Sequence, residues 1–214
     1  FQGWGAFFYP KSFVQAVREV SLNLAALMCF DEMQAGFART GKKFGFEHYE
    51  VSPDLICCGK GMGAGLPLSG VIGRAEIMDL PEVGNMSSTH SGNPVVCAAG
   101  LAVLEEISSK ELVQASLVKG QVLESLLRDL IEKFPNILRE TYGHGLIRSL
   151  IFQNDNNDKS ASLYASTFSE LCFRRGVLVV HTGRESVKLG PPLTIPLEAI
   201  IEACAVMESV LQEL

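Results

Sequence analysis

Apolar and polar positions repeat along the chain with two different periods. Over residues 11–22 (KSFVQAVREVSL) apolar side chains recur at helical spacing, which predicts an amphipathic helix. Residues 24–30 (LAALMCF) form a short unbroken apolar run stopped by Asp31 and Glu32. Such a run predicts a buried strand whose end presents acids. Residues 53–58 (PDLICC) and 68–73 (LSGVIG) are two further runs of the same kind. From Asn93 to Phe134 the helical period returns in NPVVCAAGLAVLEEI and LVQASLVKGQVLESLLRDLIEKF, with a weaker junction at SSK between them. Farther on, 146–152 (LIRSLIF) and 177–183 (VLVVHTG) predict strands. The segments SASLYASTFSELCFRR and PLEAIIEACAVMESVLQEL predict helices, and the polar stretch QNDNNDKS at 153–160 predicts an exposed loop.

Short apolar strands interspersed with helices predict an α/β protein, in which ligands sit outside the carboxyl ends of the strands. Asp31 and Lys60 both fall at such ends. The change of pattern places a boundary between 110 and 140, which divides the chain into residues 1–125 and 126–214. A length of 214 residues with 47% hydrophobic content is enough for a sizeable core. A net charge of −6 argues against nucleic acid or an anionic membrane surface as partner. No apolar run is long enough for a membrane span. The six cysteines show no C-x-x-C spacing and lie mostly in apolar runs. They predict buried free thiols in a reducing compartment, which places the protein in the cytoplasm. The four histidines are scattered, so no metal site is expected.

The stretch ICCGKGMGAGLP at 56–67 puts one lysine among four glycines. A phosphate-cradling P-loop would need a hydroxyl residue after the lysine, and Gly61 stands there. A dinucleotide fingerprint would need G-x-G-x-x-G, whereas these glycines fall at 59, 61, 63 and 65. A third chemistry is a Schiff-base lysine attacking an aldehyde. Pyridoxal phosphate (PLP) requires in addition a carboxylate at its pyridine nitrogen, and Asp31 is a suitable one. Taken alone, Asp31 reads better as a solvated strand-end acid or a helix cap than as a cofactor ligand.

The segment FDEMQAGFARTGKKFGFEHYEVSPDLICCGKGMGAGLPLSGVIGR (30–74) resembles the core signature of the class III (ω-type) aminotransferases, PLP enzymes of fold type I. The resemblance continues in SSTHSGNPVVCAAGLAVLEEI (87–107), GHGLIRSLIF (143–152) and VKLGPPLTIPLEAI (187–200), and so covers essentially the whole chain. It implies part of a large cofactor domain with a mixed, mainly parallel sheet over 1–125, and a smaller C-terminal α/β domain over 126–214. It implies PLP as cofactor and a homodimer with shared active sites. It also implies transfer of an amino group from a primary amine, ω-amino acid or amino acid to a 2-oxo acid, 2-oxoglutarate or pyruvate. By the same resemblance Lys60 would carry the cofactor as a Schiff base and act as the proton-moving base. Asp31 would pair with the pyridine nitrogen, and Gln34 would approach the ring hydroxyl. Thr89, by itself an ordinary loop threonine, would bind the phosphate of the neighbouring subunit's cofactor. The glycines at 59, 61, 63 and 65 would let the backbone turn sharply beside the ring. Arg39 and Lys43 read as solvated or interface charges.

Two departures from the family pattern stand out. The chain begins at a segment, FQGWG, that follows the family's phosphate-gripping loop and ring-stacking aromatic. That predicts a piece of a longer protein, inactive by itself. Many members that use glutamate place an arginine where Lys188 stands in VKLGPPL. Lysine offers a point charge in place of a two-pronged clamp, which leaves either a substrate contact or a plain strand residue at Lys188. Family aminomutase, racemase or decarboxylase chemistry stays open as an alternative. A truncated, non-catalytic dimerising fragment is the alternative of another class.

Overall fold

The computed structural model describes residues 2–153 and 160–214. The loop expected at 153–160 lies, apart from its two end residues, outside the described residues. The chain divides into two compact units: residues 1–8, 39–41 and 114–214 in one, and 9–38 and 42–113 in the other.

The second unit opens with helix α1 (Lys11–Asn23), whose side chain at Val14 is buried. Its sheet has strand order β1-β2-β3, built from Cys29–Asp31, Leu55–Cys58 and Gly70–Gly73. β1 and β2 run parallel, and β2 and β3 antiparallel, so this sheet is mixed. The strand expected over 24–30 is shorter and starts later. Leu24 closes α1 by donating to Val20 O, and Ala25 turns the chain with φ of 52°. A short apolar run does not distinguish strand from turn, and here the helix end claims the first residues. A buried carboxylate ties this sheet together. Asp54 accepts from Met28 N at 2.8 Å and from Arg18 Nη1 at 2.5 Å, and lies 3.4 Å from Arg74 Nη2. The Arg18 and Met28 hydrogen bonds hold its carboxyl below the usual range. A one-turn helix, α2 (Ala75–Met78), follows β3. Helix α3 (Pro94–Ser109) starts where Asn93 Oδ1 accepts from Val95 N at 2.9 Å and Pro94 occupies the first turn.

The first unit takes in helix α4 (Leu112–Lys133) for most of its length. The helical pattern over 93–134 breaks at Lys110 and Glu111, the latter with φ of 49°, close to the expected junction. Four strands follow in the order β4-β5-β7-β6, all antiparallel: Leu138–His144, Ile147–Phe152, Ser186–Leu189 and Val180–His181. Helices α5 (Ala161–Arg174) and α6 (Leu197–Leu211) pack on this sheet. All six residues of β5 are buried. On one face Leu150 and Phe152 join Leu127, Phe168 and Met207 in the core. The other face carries Ser149, whose hydroxyl donates to Gly5 O, while Ser186 donates to Trp4 O at 2.8 Å. The N-terminal residues 2–8 therefore line that face.

The thiols only partly follow expectation. Cys58, Cys172 and Cys204 are buried, but Cys29 and Cys97 are exposed and Cys57 is intermediate. Apolar sequence neighbours do not bury a strand residue whose sheet face is open.

Candidate active site

The parallel pairing of β1 with β2 sets Asp31 beside Cys57. Both strands end at the same sheet edge, and Lys60 follows Cys57 by three residues. Residues 29 apart in sequence are thus brought to one edge by register. Asp31 is exposed, and its Oδ1 accepts from Met33 N at 2.9 Å, a short turn that fixes the carboxylate's direction. On the same face the Sγ atoms of Cys29 and Cys57 lie 3.6 Å apart. Burial, the Cys57 contact and the Asp31 charge push the Cys29 thiol up.

Lys60 is exposed and opens a short 3₁₀ turn, Lys60–Gly63, in which Met62 N donates to Gly59 O at 3.1 Å. The sharp bend is not made by glycine alone. Lys60 itself adopts φ of 46° and Ala64 φ of 48°, both in the left-handed region that costs a side-chain-bearing residue strain. Gly59 is extended and has a different reason: a Cβ there would lie 2.4 Å from Met33 Sδ. Met33 therefore fills the space between the Asp31 turn and the approach to Lys60. Helix α3 packs on the Lys60 turn through Gly100, its one buried residue, against Leu68.

The remaining expected residues are placed less closely. Gln34 is half-buried in the turn that follows Asp31. Thr89 lies in the exposed loop before α3, where Ser91 Oγ donates to Ser88 O at 2.7 Å. Lys188 is in the other unit, on β7, and its Nζ donates to Gly3 O at 3.0 Å. Arg39 departs from the solvated reading. Its guanidinium donates to Leu146 O at 3.0 Å and to Pro191 O, and burial lowers its pKa.

Residues 2–211 match the family model for "Aminotransferase class-III". The chain belongs to the class III aminotransferases. It is 32% identical over 202 residues to an acetylornithine aminotransferase of Gloeobacter violaceus, covering 94% of this chain and 48% of the relative. It is also 32% identical over 210 residues to a putrescine aminotransferase of Pectobacterium atrosepticum, covering 96% of this chain and 43% of the relative. The crystal structure of an S-selective transaminase from Arthrobacter sp. superposes with a TM-score of 0.91 at 28% identity, over 99% of this chain and 50% of that one. The chain thus spans about half the length of the curated relatives it matches. Class III aminotransferases depend on PLP and share this mixed α/β fold.

One buried residue beside the candidate site escaped sequence reasoning. Glu32 is only 1% exposed, with its carboxylate hydrogen-bonded to backbone at both oxygens. Strand alternation was the available signal: if Asp31 faces outward, the next side chain points into the protein.

Proposed function

We propose that the complete protein is a PLP-dependent aminotransferase that moves an amino group from a primary amine, ω-amino acid or amino acid to a 2-oxo acid. The observation that carries this reading is the shared strand edge, with an exposed carboxylate and an exposed lysine ending two parallel-paired strands. The donor set suits the cofactor: an oriented carboxylate for a pyridine nitrogen, and an amine on a turn for an aldehyde.

When bound, PLP supplies an electron sink for a carbanion at the substrate's amine-bearing carbon. Asp31 would hold the proton on the pyridine nitrogen. Lys60 Nζ would bind the cofactor's aldehyde and then move a proton at the substrate carbon. Gln34 would donate to the ring hydroxyl, and Thr89 Oγ1 to the phosphate across a homodimer interface. We assign this cofactor chemistry to the unit of residues 9–38 and 42–113. Lys188 is the candidate contact for the acceptor's carboxylate as a point charge, which favours no single choice between 2-oxoglutarate and pyruvate. Relatives named for acetylornithine and putrescine support an ω-amine as donor. The free cysteines support a cytoplasmic location.

The test uses the full-length protein. It is incubated with PLP, reduced with borohydride and digested, and the peptides are analysed by mass spectrometry. The expected result is a pyridoxyl group on Lys60 that disappears in Lys60→Ala. Absence of the label, or its appearance on another lysine, sinks the reading. Amino-acid formation from pyruvate or 2-oxoglutarate with acetylornithine or putrescine as donor then identifies the substrates.

A further inference from the structure

Glu32 is a buried acid that enters no salt bridge among the described residues, and its carboxylate accepts from two backbone amides. Oε2 accepts from Gly45 N and Oε1 from Phe46 N, each at 2.7 Å. Its own N–H donates to Cys57 O at 2.9 Å, which extends the β1–β2 ladder by one residue, and its carbonyl accepts from Gly36 N at 3.0 Å. Every polar group of Glu32 is thus committed. The pocket is close-fitting, because a Cβ on Gly45 would lie 2.8 Å from Ala35 Cβ and 3.2 Å from Glu32 Oε2. A carboxylate buried against backbone amides is a costly way to fasten two backbone segments. Burial accordingly pushes its pKa up, against the two amides that lower it.

The reason for keeping it lies in its neighbours. Asp31 precedes Glu32 and faces the opposite side of the strand. Met33 follows, donates to Asp31 Oδ1, and fills the space above Gly59 next to Lys60. Both functional strand ends are therefore attached, within two residues or one side-chain contact, to the point that Glu32 anchors. We propose that Glu32 is a positioning residue of the active site, setting the direction of the Asp31 carboxylate and the approach to Lys60 by clamping the end of β1 to the Gly45–Phe46 backbone. This rests on the reading of Asp31 and Lys60 given above.

Glutamine has the same shape but offers one acceptor and turns an NH₂ toward the second amide. The experiment compares the full-length wild type with Glu32→Gln and Glu32→Asp, and with Gly45→Ala, which presses on the same carboxylate while leaving it intact. Three quantities are read: the dissociation constant for PLP, the pH midpoint of the bound cofactor's visible band, and the melting temperature of the apoprotein. The expected result is a PLP dissociation constant raised about tenfold or more in Glu32→Gln, with a shifted band midpoint, since misplacement by an ångström at a reacting centre has effects of that size. Gly45→Ala moves both in the same direction, and Glu32→Asp, one methylene short of both amides, does not restore them. Wild-type PLP affinity and band midpoint in the variants, whatever happens to the melting temperature, overturn the proposal and leave Glu32 as a structural tie. If one Glu32 variant does not fold, the Gly45→Ala readings decide the matter alone. A wild type that takes no PLP on Lys60 overturns the reading of the site itself, which the unmodified control makes visible separately.

Discussion

Replacing Glu124 by alanine isolates the energetics of the buried Arg148 guanidinium in the first unit. Arg148 is 5% exposed, its Nη2 donates to Glu124 Oε2 at 2.6 Å, and its Nε has no hydrogen-bond partner among the described residues. Glu124 also receives Arg128, but that cation is mostly in solvent. The two pairs therefore differ in worth. An exposed pair such as Glu124–Arg128 contributes about 1 kcal/mol or less. Removing Glu124 also strands a buried charge, a loss of about 3–5 kcal/mol. For a chain of this size that corresponds to a fall in melting temperature of about 10 °C. Arg148→Met removes the buried cation together with its orphaned Nε and leaves Glu124 its exposed partner, so this variant should stay within about 1 kcal/mol of wild type. The double variant should then recover at least about 2 kcal/mol of the Glu124→Ala loss, because no charge remains uncompensated. Urea titration followed by circular dichroism measures all four corners of the cycle. A Glu124→Ala cost below about 1 kcal/mol, or a double variant no more stable than Glu124→Ala, would refute the argument that the buried guanidinium sets the cost.

Three further outcomes are expected. Burial pushes the Glu124 carboxyl up, but its hydrogen bonds and charges from Arg128 and Arg148 outweigh that and leave it depressed. Asp54 is depressed by Arg18 and Met28. A depressed folded pKa means stability that is present above the unfolded carboxylate value and lost as pH falls through the folded one, so acid titration should melt wild type more steeply than Asp54→Asn; equal slopes would count against this. Met207, fully buried in the core of the first unit, should cost about 2–5 kcal/mol when cut to alanine, read as a shift in the urea midpoint. The Cys172 and Cys204 thiols are pushed up to about 12 by burial, so iodoacetamide at neutral pH should modify the exposed Cys97 and spare both until the protein is unfolded; mass spectrometry of the native protein shows which occurs.

What the sequence by itself determined is what depends on neighbours a few residues apart. Helices α1, α3, α4, α5 and α6 were legible because apolar spacing every third or fourth residue is a local property, and the break at Lys110–Glu111 showed as a loss of that spacing. The lysine among glycines and the acid ending an apolar run were likewise visible as motifs. The register that sets their strand ends side by side was not, because it comes from the pairing of β1 with β2. The polar-rich β4 gave no alternating signal, and β7 is made a strand by pairing with β5 on one side and β6 on the other. Arg39 looked solvated because its acceptors, the carbonyls of Leu146 and Pro191, come from far along the chain. Glu32 looked like a second surface acid until the fold supplied two amides from Gly45 and Phe46. Hydrogen-bond partners and desolvation belong to the assembled structure, so only tertiary contact decided which acid faces outward and which is clamped within.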